Sequence, residues 1–105
     1  MKNILGMIGL AKRAGALSVG AVACEASIKS RTAKLVIVAV DASDNSRKTV
    51  KDSCSYYKIP CLEFSDMENL GRFSGGGEKA VIAVNDENFA SALIQKIQGV
   101  QGKDR

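Results

Sequence analysis

The sequence predicts an α/β protein in which helices cover both faces of a small β-sheet. Two observations support this prediction. Helical segments alternate with short apolar segments along the whole chain of 105 residues. Residues 34–40 and 80–84 are also continuous apolar runs rich in β-branched side chains, which is typical of strands covered on both faces.

The first helix is predicted over residues 3–14, because apolar side chains recur there at helical spacing and Gly15 follows as a C-terminal glycine. Lys12 and Arg13 interrupt this segment, which argues against a signal peptide. The remaining helices are predicted over residues 20–30, 46–57, 66–73 and 87–98, and the strands over residues 16–19, 34–40, 61–64 and 80–84.

Polar residues mark the starts of the later helices. Asp44 or Asn45 is expected to cap the third helix, and Asp86 the last one. Ser65 and Glu68 have the spacing of a capping box before the fourth helix. The side chain of each of these residues can accept a hydrogen bond from a backbone amide that the first helical turn leaves without a partner.

The chain is expected to form one domain over residues 1–98 and a flexible tail over residues 99–105. No apolar run approaches the roughly 20 residues that a membrane-spanning helix needs. The chain has no histidine and no Cys-x-x-Cys spacing, so neither catalytic residues, a metal site nor a cofactor is predicted. Its three cysteines are expected to be buried apolar side chains of a cytoplasmic protein.

Charge is distributed unevenly along the chain, whose formal net charge is +4. Residues 1–58 contain 10 basic and 4 acidic residues, whereas residues 59–105 contain 5 basic and 7 acidic residues. A basic half predicts an anionic partner on one face, or a charge surplus that only aids solubility; composition leaves both open. The basic residues form three groups: Lys12 and Arg13; Lys29, Arg31 and Lys34; and Arg47, Lys48 and Lys51.

No aromatic residue stands among these basic groups, and Tyr57 is expected to lie in the core. Stacking on unpaired bases is therefore disfavoured, and contact with the backbone of a structured RNA is favoured. Asp41, Asp44 and Asp52 are interpreted as turn and surface residues, because no partner base or metal set accompanies them.

The triple glycine at positions 75–77 is predicted to be a flexible loop, which either touches a ligand or only connects two elements. It lacks the lysine of a nucleotide-binding phosphate loop. It also precedes a strand, whereas a phosphate loop precedes a helix.

Several segments together are similar to one known family: residues 9–15, 33–39, 41–45, 56–60 and 80–84. Through these segments the chain resembles the ribosomal protein L7Ae family, which belongs to the L30e-like superfamily. The resemblance extends over residues 3–97 and is strongest to the short bacterial members of the YlxQ type. The resemblance implies a three-layer α/β/α sandwich on a four-stranded mixed sheet. It also implies a non-enzymatic, monomeric protein that binds kink-turn or ribosomal RNA and is associated with the ribosome.

The resemblance places RNA against the start of the second helix and the glycine loop. The family motif there is Gly-x-Asn-Glu-x-x-Lys, and aligning it at Gly20 puts Val22, Ala23 and Ala26 at the three polar positions. Direct base reading by this helix is therefore not expected, whereas phosphate contact is. The implied RNA-binding residues are Ser18, Gly20, Ala21, Val22, Ala23, Ala26, Lys29, Gly75, Gly76, Gly77 and Lys79, with Lys12, Arg13, Arg31 and Lys34 steering RNA by charge.

The same three apolar residues leave a second function open. Val22, Ala23 and Ala26 form a small apolar surface, which suits a protein partner on a fold that has lost specific RNA recognition. An enzyme is the least favoured class, because the sequence supplies no nucleophile paired with a base.

Overall fold

The computed structural model describes residues 2–103 as five helices and one four-stranded mixed sheet, and thereby confirms the predicted α/β sandwich. No helix in this range is long and apolar enough to cross a membrane. The elements in chain order are α1 (Lys2–Arg13), β1 (Leu17–Val19), α2 (Ala21–Lys29), β2 (Leu35–Val38), α3 (Asp44–Tyr57), β3 (Cys61–Glu63), α4 (Met67–Ser74), β4 (Val81–Val84) and α5 (Glu87–Lys103).

The sheet has the strand order β1-β4-β2-β3, in which β4 is antiparallel to both of its neighbours and β2 is parallel to β3. All residues of the two central strands are buried, as their unbroken apolar runs predict. Because β4 runs opposite to β1 and β2, its start lies beside their ends. We call this the upper end of the sheet, at Val19, Val38 and Val81, and the opposite one, at Val84, the lower end.

The two faces of the sheet carry different helices, because successive side chains of a strand point to opposite faces. Leu35, Ile37 and Ile82 share one buried cluster with side chains of α1, α4 and α5. Val36 and Ala83 share a second cluster with α2 and α3. The two clusters give the three layers of the fold, with α2 at one surface of the sandwich.

Helix starts are set by side-chain caps, and two of them differ from the predicted ones. Asp86 caps α5 as predicted. The cap of α3 is Ser43, just before the predicted residues, and accepts the Ser46 amide at 3.1 Å. The predicted capping box before α4 is wrong, because Asp66 accepts the amide three residues later. Ser65 has φ +65°, not the extended backbone that a cap residue normally adopts.

The helix ends show one agreement and one correction. α1 ends at Arg13 and is followed by Gly15 as the predicted C-terminal glycine, which has φ +74° and whose amide donates to the Lys12 carbonyl at 3.0 Å. The expected break at Gly99 is wrong, because α5 continues as helix to Lys103. A single glycine inside a helix costs only about 1 kcal/mol, and no proline follows to stop the helix. The last two residues of the predicted tail lie outside the described residues.

All three cysteines are free, and Cys24 and Cys54 are buried as expected, whereas Cys61 is half-buried. Burial raises the pKa of Cys24 to about 12. Interaction with the Cys61 thiol, together with burial, raises the pKa of Cys54. Interaction with the Cys54 thiol, aided by the charge of Lys51, lowers the pKa of Cys61. The two buried thiols therefore stay protonated at neutral pH and act as apolar side chains.

Candidate nucleic-acid interface

The start of α2 lies at the upper end of the sheet and differs from the starts of the later helices. Side chains cap α3, α4 and α5, whereas in the described chain no side chain caps α2 at Gly20 and its first turn has no acidic residue. Ala21, Val22 and Ala23 are all exposed. The first α-helical hydrogen bond comes from the Cys24 amide, so the three amides before it are available to an anion.

Gly20 has a backbone conformation that only glycine adopts readily. Its φ is +92° and its ψ is 164°. Its amide donates to the Val81 carbonyl at 3.1 Å, which ties the start of α2 to the start of β4. The glycine that the family motif predicts at this position is thus required by the turn that leads into α2.

A cleft of about 210 Å³ opens beside this helix start, between α2 and α3. Its floor is apolar and includes Ile28 and Val81, while Glu25, Asn45 and Thr49 form part of its rim. The cleft suits an uncharged group better than a phosphate, because the only charged residue in its lining is an acid. Sequence reasoning missed this cleft, since the α2 and α3 residues that form it lie about 20 positions apart and carry no shared motif.

The glycine loop at positions 75–79 runs back along α4 and is held to it by backbone hydrogen bonds. The Gly76 amide donates to the Gly71 carbonyl at 2.8 Å, and the Lys79 amide donates to Met67 at 3.1 Å. The predicted flexible connector is therefore a segment anchored at both ends. It carries the chain from the end of α4 to its start and delivers residue 79 to the upper end of the sheet.

Three cations lie in or beside this loop. Lys79 donates its ammonium to the Gly77 carbonyl at 3.1 Å. The stem of Lys12 covers Gly75, since a methyl group placed on that glycine would lie 3.2 Å from Lys12 Cε. Arg72 is exposed in the last turn of α4 and was not among the predicted residues. Of the residues predicted to steer RNA, Lys12 is the one that the structure brings to the loop.

Ser18 is a predicted RNA contact whose hydroxyl is used inside the fold. It shares a hydrogen bond with the hydroxyl of Ser27 on α2 and accepts another from the Asn85 side-chain amide at 3.0 Å. We interpret Ser18 as a residue that positions α2 against the sheet. The sequence does not reveal this, because both partners are distant in the chain.

The remaining predicted cations lie away from the upper end. The Lys34 amide donates to Val84 at the lower end, and Arg31 follows the C-terminal end of α2. Arg13 precedes β1, which starts at the lower end. Lys29 shares an exposed groove on α2 with Val22, but lies two turns further along the helix. These four residues are not brought together with the start of α2, and their steering role stays a prediction.

The third basic group is neutralised by carboxylates on and beside α3. Its ion pairs are Arg47 with Asp44, Arg47 with Glu63 at 3.4 Å, Lys48 with Asp52 at 2.9 Å, and Lys51 with Glu63. The structure also confirms a structural role for Asp41, whose carboxylate accepts the Met67 amide at the start of α4. This face of α3 therefore contributes little positive charge to a binding surface.

Comparisons with known proteins give a consistent picture. The family model described as Ribosomal protein L7Ae/L30e/S12e/Gadd45 family matches residues 2–94. An Enterococcus faecium protein named RNA-binding protein YlxQ is 40% identical over 98 residues, covering 93% of this chain and 94% of that protein. A Bacillus subtilis protein of the same name is 40% identical over 88 residues, covering 84% of this chain and 88% of that protein.

Solved structures also match the fold. A protein of unknown function from Bacillus halodurans C superposes with a TM-score of 0.86 and 33% identity, covering 90% of this chain and 96% of that one. The Giardia lamblia 15.5 kD RNA binding protein superposes with a TM-score of 0.75 and 20% identity, covering 90% of this chain and 84% of that one. At 20% identity the second match concerns the fold alone.

Proposed function

Because the chain belongs to the ribosomal protein L7Ae/L30e/S12e/Gadd45 family, we propose that it is a non-enzymatic protein that binds structured RNA of the kink-turn or ribosomal kind. The observation that carries this proposal is the uncapped and exposed first turn of α2, which the Gly20 amide ties to Val81, two residues after the loop at positions 75–79. Two relatives at 40% identity carry RNA binding in their names. The proposal includes a cytoplasmic monomer, in line with three free thiols.

The backbone amides at the start of α2 would bind the phosphates of the RNA. The first three amides of a helix and the partial positive charge at its N-terminus together bind a phosphate. Lys79, at the upper end of the loop, would contact a further phosphate, and Lys12, beside Gly75 at the other end of the loop, would add positive charge. A sharply bent RNA brings phosphates of both strands close together, so a small patch of donors and cations suffices.

Selectivity has to come mainly from RNA shape. Val22 and Ala26 are exposed on α2, where the family motif has side chains that form hydrogen bonds with base edges. Apolar side chains cannot replace those bonds, so base identity is read weakly at this helix. Shape recognition remains available, because the backbone donors have fixed positions on the fold.

A titration against two duplexes tests the proposal. One contains a standard kink-turn and the other is straight, and each is titrated at two salt concentrations. We expect tighter binding to the kink-turn, and an affinity that falls steeply with salt because phosphate contacts release counterions. Equal binding of both duplexes would contradict the proposal, and so would an affinity that salt leaves unchanged.

Lys79→Gln should weaken kink-turn binding more than Lys34→Gln does. Both substitutions remove one positive charge from the same protein, but position 79 lies at the upper end and position 34 at the lower end. We expect Lys79→Gln to lower the slope of log K against log salt by about 1, and Lys34→Gln to leave it nearly unchanged. Equal losses for the two variants would place the RNA elsewhere.

A protein partner on α2 is the alternative function, and the exposure of Val22 favours it. This side chain is 87% exposed, a high value for valine, and Ala23 and Ala26 are exposed around it. Under this alternative, Val22→Lys abolishes capture of the partner and leaves folding intact, because the side chain is already in solvent. If instead every captured protein is retained and kink-turn affinity rises, the α2 surface serves RNA.

A further inference from the structure

The C-terminal ends of α2 and α3 form a surface that the proposed function does not use. We call it the helix-end patch and define it by Lys29, Arg31, Tyr56, Tyr57 and Lys58. The patch lies at the opposite end of α2 from Gly20, about 14 Å away along a nine-residue helix. An RNA bound at the upper end therefore leaves this patch free.

Both helices end on a cation in a backbone conformation that normally belongs to glycine. Arg31 follows α2 with φ +62°, and Lys58 follows α3 with φ +60°. Such left-handed residues cost free energy when they carry a side chain. The same chain uses glycine at the equivalent ends of α1 and α4, where Gly15 and Gly75 have positive φ. A left-handed cation at each of two neighbouring helix ends points to a use for the charge.

Two aromatic rings adjoin these cations. The guanidinium carbon of Arg31 lies 5.8 Å from the ring centre of Tyr57, within range of a cation–π interaction. The Tyr56 ring packs edge-on against Tyr57, with ring centres 4.8 Å apart and planes at 77°. Tyr56 itself is 76% exposed. Its ring is thus supported from one side by the fold and offers the rest of its surface to a ligand.

The cations of the patch are not neutralised within the described part of the chain. Lys29, Arg31 and Lys58 form no salt bridge there, unlike the basic face of α3. The sequence holds no acidic residue at positions 26–40 or 53–62. The acids nearest to the patch along α2 and α3 each have a partner: Glu25 accepts a hydrogen bond from Ser53, and Asp52 pairs with Lys48.

We propose that the helix-end patch is a second RNA-contact surface, which binds an unpaired stretch of two or three nucleotides. Tyr56 stacks on one base, and Lys29, Arg31 and Lys58 contact the phosphates on either side. Exposed rings flanked by cations are the arrangement that holds single strands without reading their sequence. This inference rests on the proposed function only in taking RNA as the partner.

Fluorescence anisotropy with labelled 12-nucleotide oligouridine and oligoadenosine tests the inference. Tyr56→Ala should weaken binding about tenfold, which is typical for loss of one stacked base, and Tyr56→Phe should retain it. The double variant Arg31→Gly with Lys58→Gly should lower the salt slope by about 1.4, because each phosphate contact to a single strand contributes about 0.7. Glycine also relieves the left-handed backbone, so the variant should unfold at a temperature no lower than that of the wild type.

Lys96→Gln is the control, because it removes an exposed cation from α5, on the opposite face of the sheet from α2 and α3, and should leave oligonucleotide binding unchanged. Oligonucleotide binding that is absent, or that the patch variants do not weaken, overturns the inference. In that case the cations at positions 31 and 58 serve only the helix ends. The kink-turn titration tests the proposed function independently. If only kink-turn selectivity is absent, the proposed RNA site at the start of α2 is refuted; if only oligonucleotide binding is absent, the proposed role of the helix-end patch is refuted.

Discussion

Gly71→Ala should destabilise the protein by about 1–3 kcal/mol, although alanine is the better helix former. A Cβ at this position would lie 2.1 Å from the carbonyl oxygen of Gly77 and 2.6 Å from its carbonyl carbon. These are backbone atoms, so no side-chain rotation relieves the overlap. The loop at positions 75–79 has to move away from α4 by an ångström or more, and Lys79 moves with it.

Chemical denaturation of Gly71→Ala and Gly6→Ala measures this effect against a matched control. Gly6 is also inside a helix, but a Cβ there meets nothing within 4 Å. We therefore expect Gly6→Ala to stabilise the protein by about 0.5–1 kcal/mol. Gly71→Ala should also weaken kink-turn binding at least as much as Lys79→Gln. Similar stabilities for the two alanine variants would show that α4 and the loop are not in tight contact.

The elements of the fold follow from local patterns, but their arrangement does not. The unbroken apolar runs predict β2 and β4 as fully covered strands, because only strands with helices on both faces tolerate such runs. The runs do not say that β4 lies antiparallel between β1 and β2, and the family resemblance implied only a four-stranded mixed sheet. Helix starts shift by one or two residues where several capping residues adjoin, as at Ser43, Asp44 and Asn45.

The candidate site was predictable where one segment forms it and unpredictable where distant segments meet. The family motif locates Gly20 and the start of α2 correctly within the chain, and the structure shows why a glycine stands there. The sequence places Lys29, Arg31 and Lys34 around the end of the second helix, and the structure agrees, but the length of α2 separates this end from Gly20.

Aromatic residues show the same limit. The sequence separates the basic groups from the tyrosines and therefore disfavours base stacking. The contact between Arg31 and Tyr57 spans 26 positions, and only the packing of α2 against α3 creates it. Tyr57 is half-buried as part of the second core cluster, whereas its neighbour Tyr56 points outward. Two adjacent tyrosines thus have different roles because they face different sides of α3.

Restoring the family motif should raise kink-turn affinity at least tenfold. The variant combines Val22→Asn, Ala23→Glu and Ala26→Lys. All three positions are exposed, so the new side chains displace nothing. A carboxylate in the first turn of α2 also favours the helix dipole. A single good bidentate contact to a base edge is worth about 1–3 kcal/mol, and at least one regained contact accounts for the expected change.

The single variant Ala26→Lys separates base reading from added charge. It introduces a cation on the same face without the other two polar groups, so any gain it gives should appear with kinked and straight duplexes alike. A selective gain in the triple variant alone means that Gly20, the loop and the cleft still fit the kinked RNA. If the triple variant gains nothing, these parts no longer form a kink-turn site, and the exposed surface around Val22 is better explained by a protein partner.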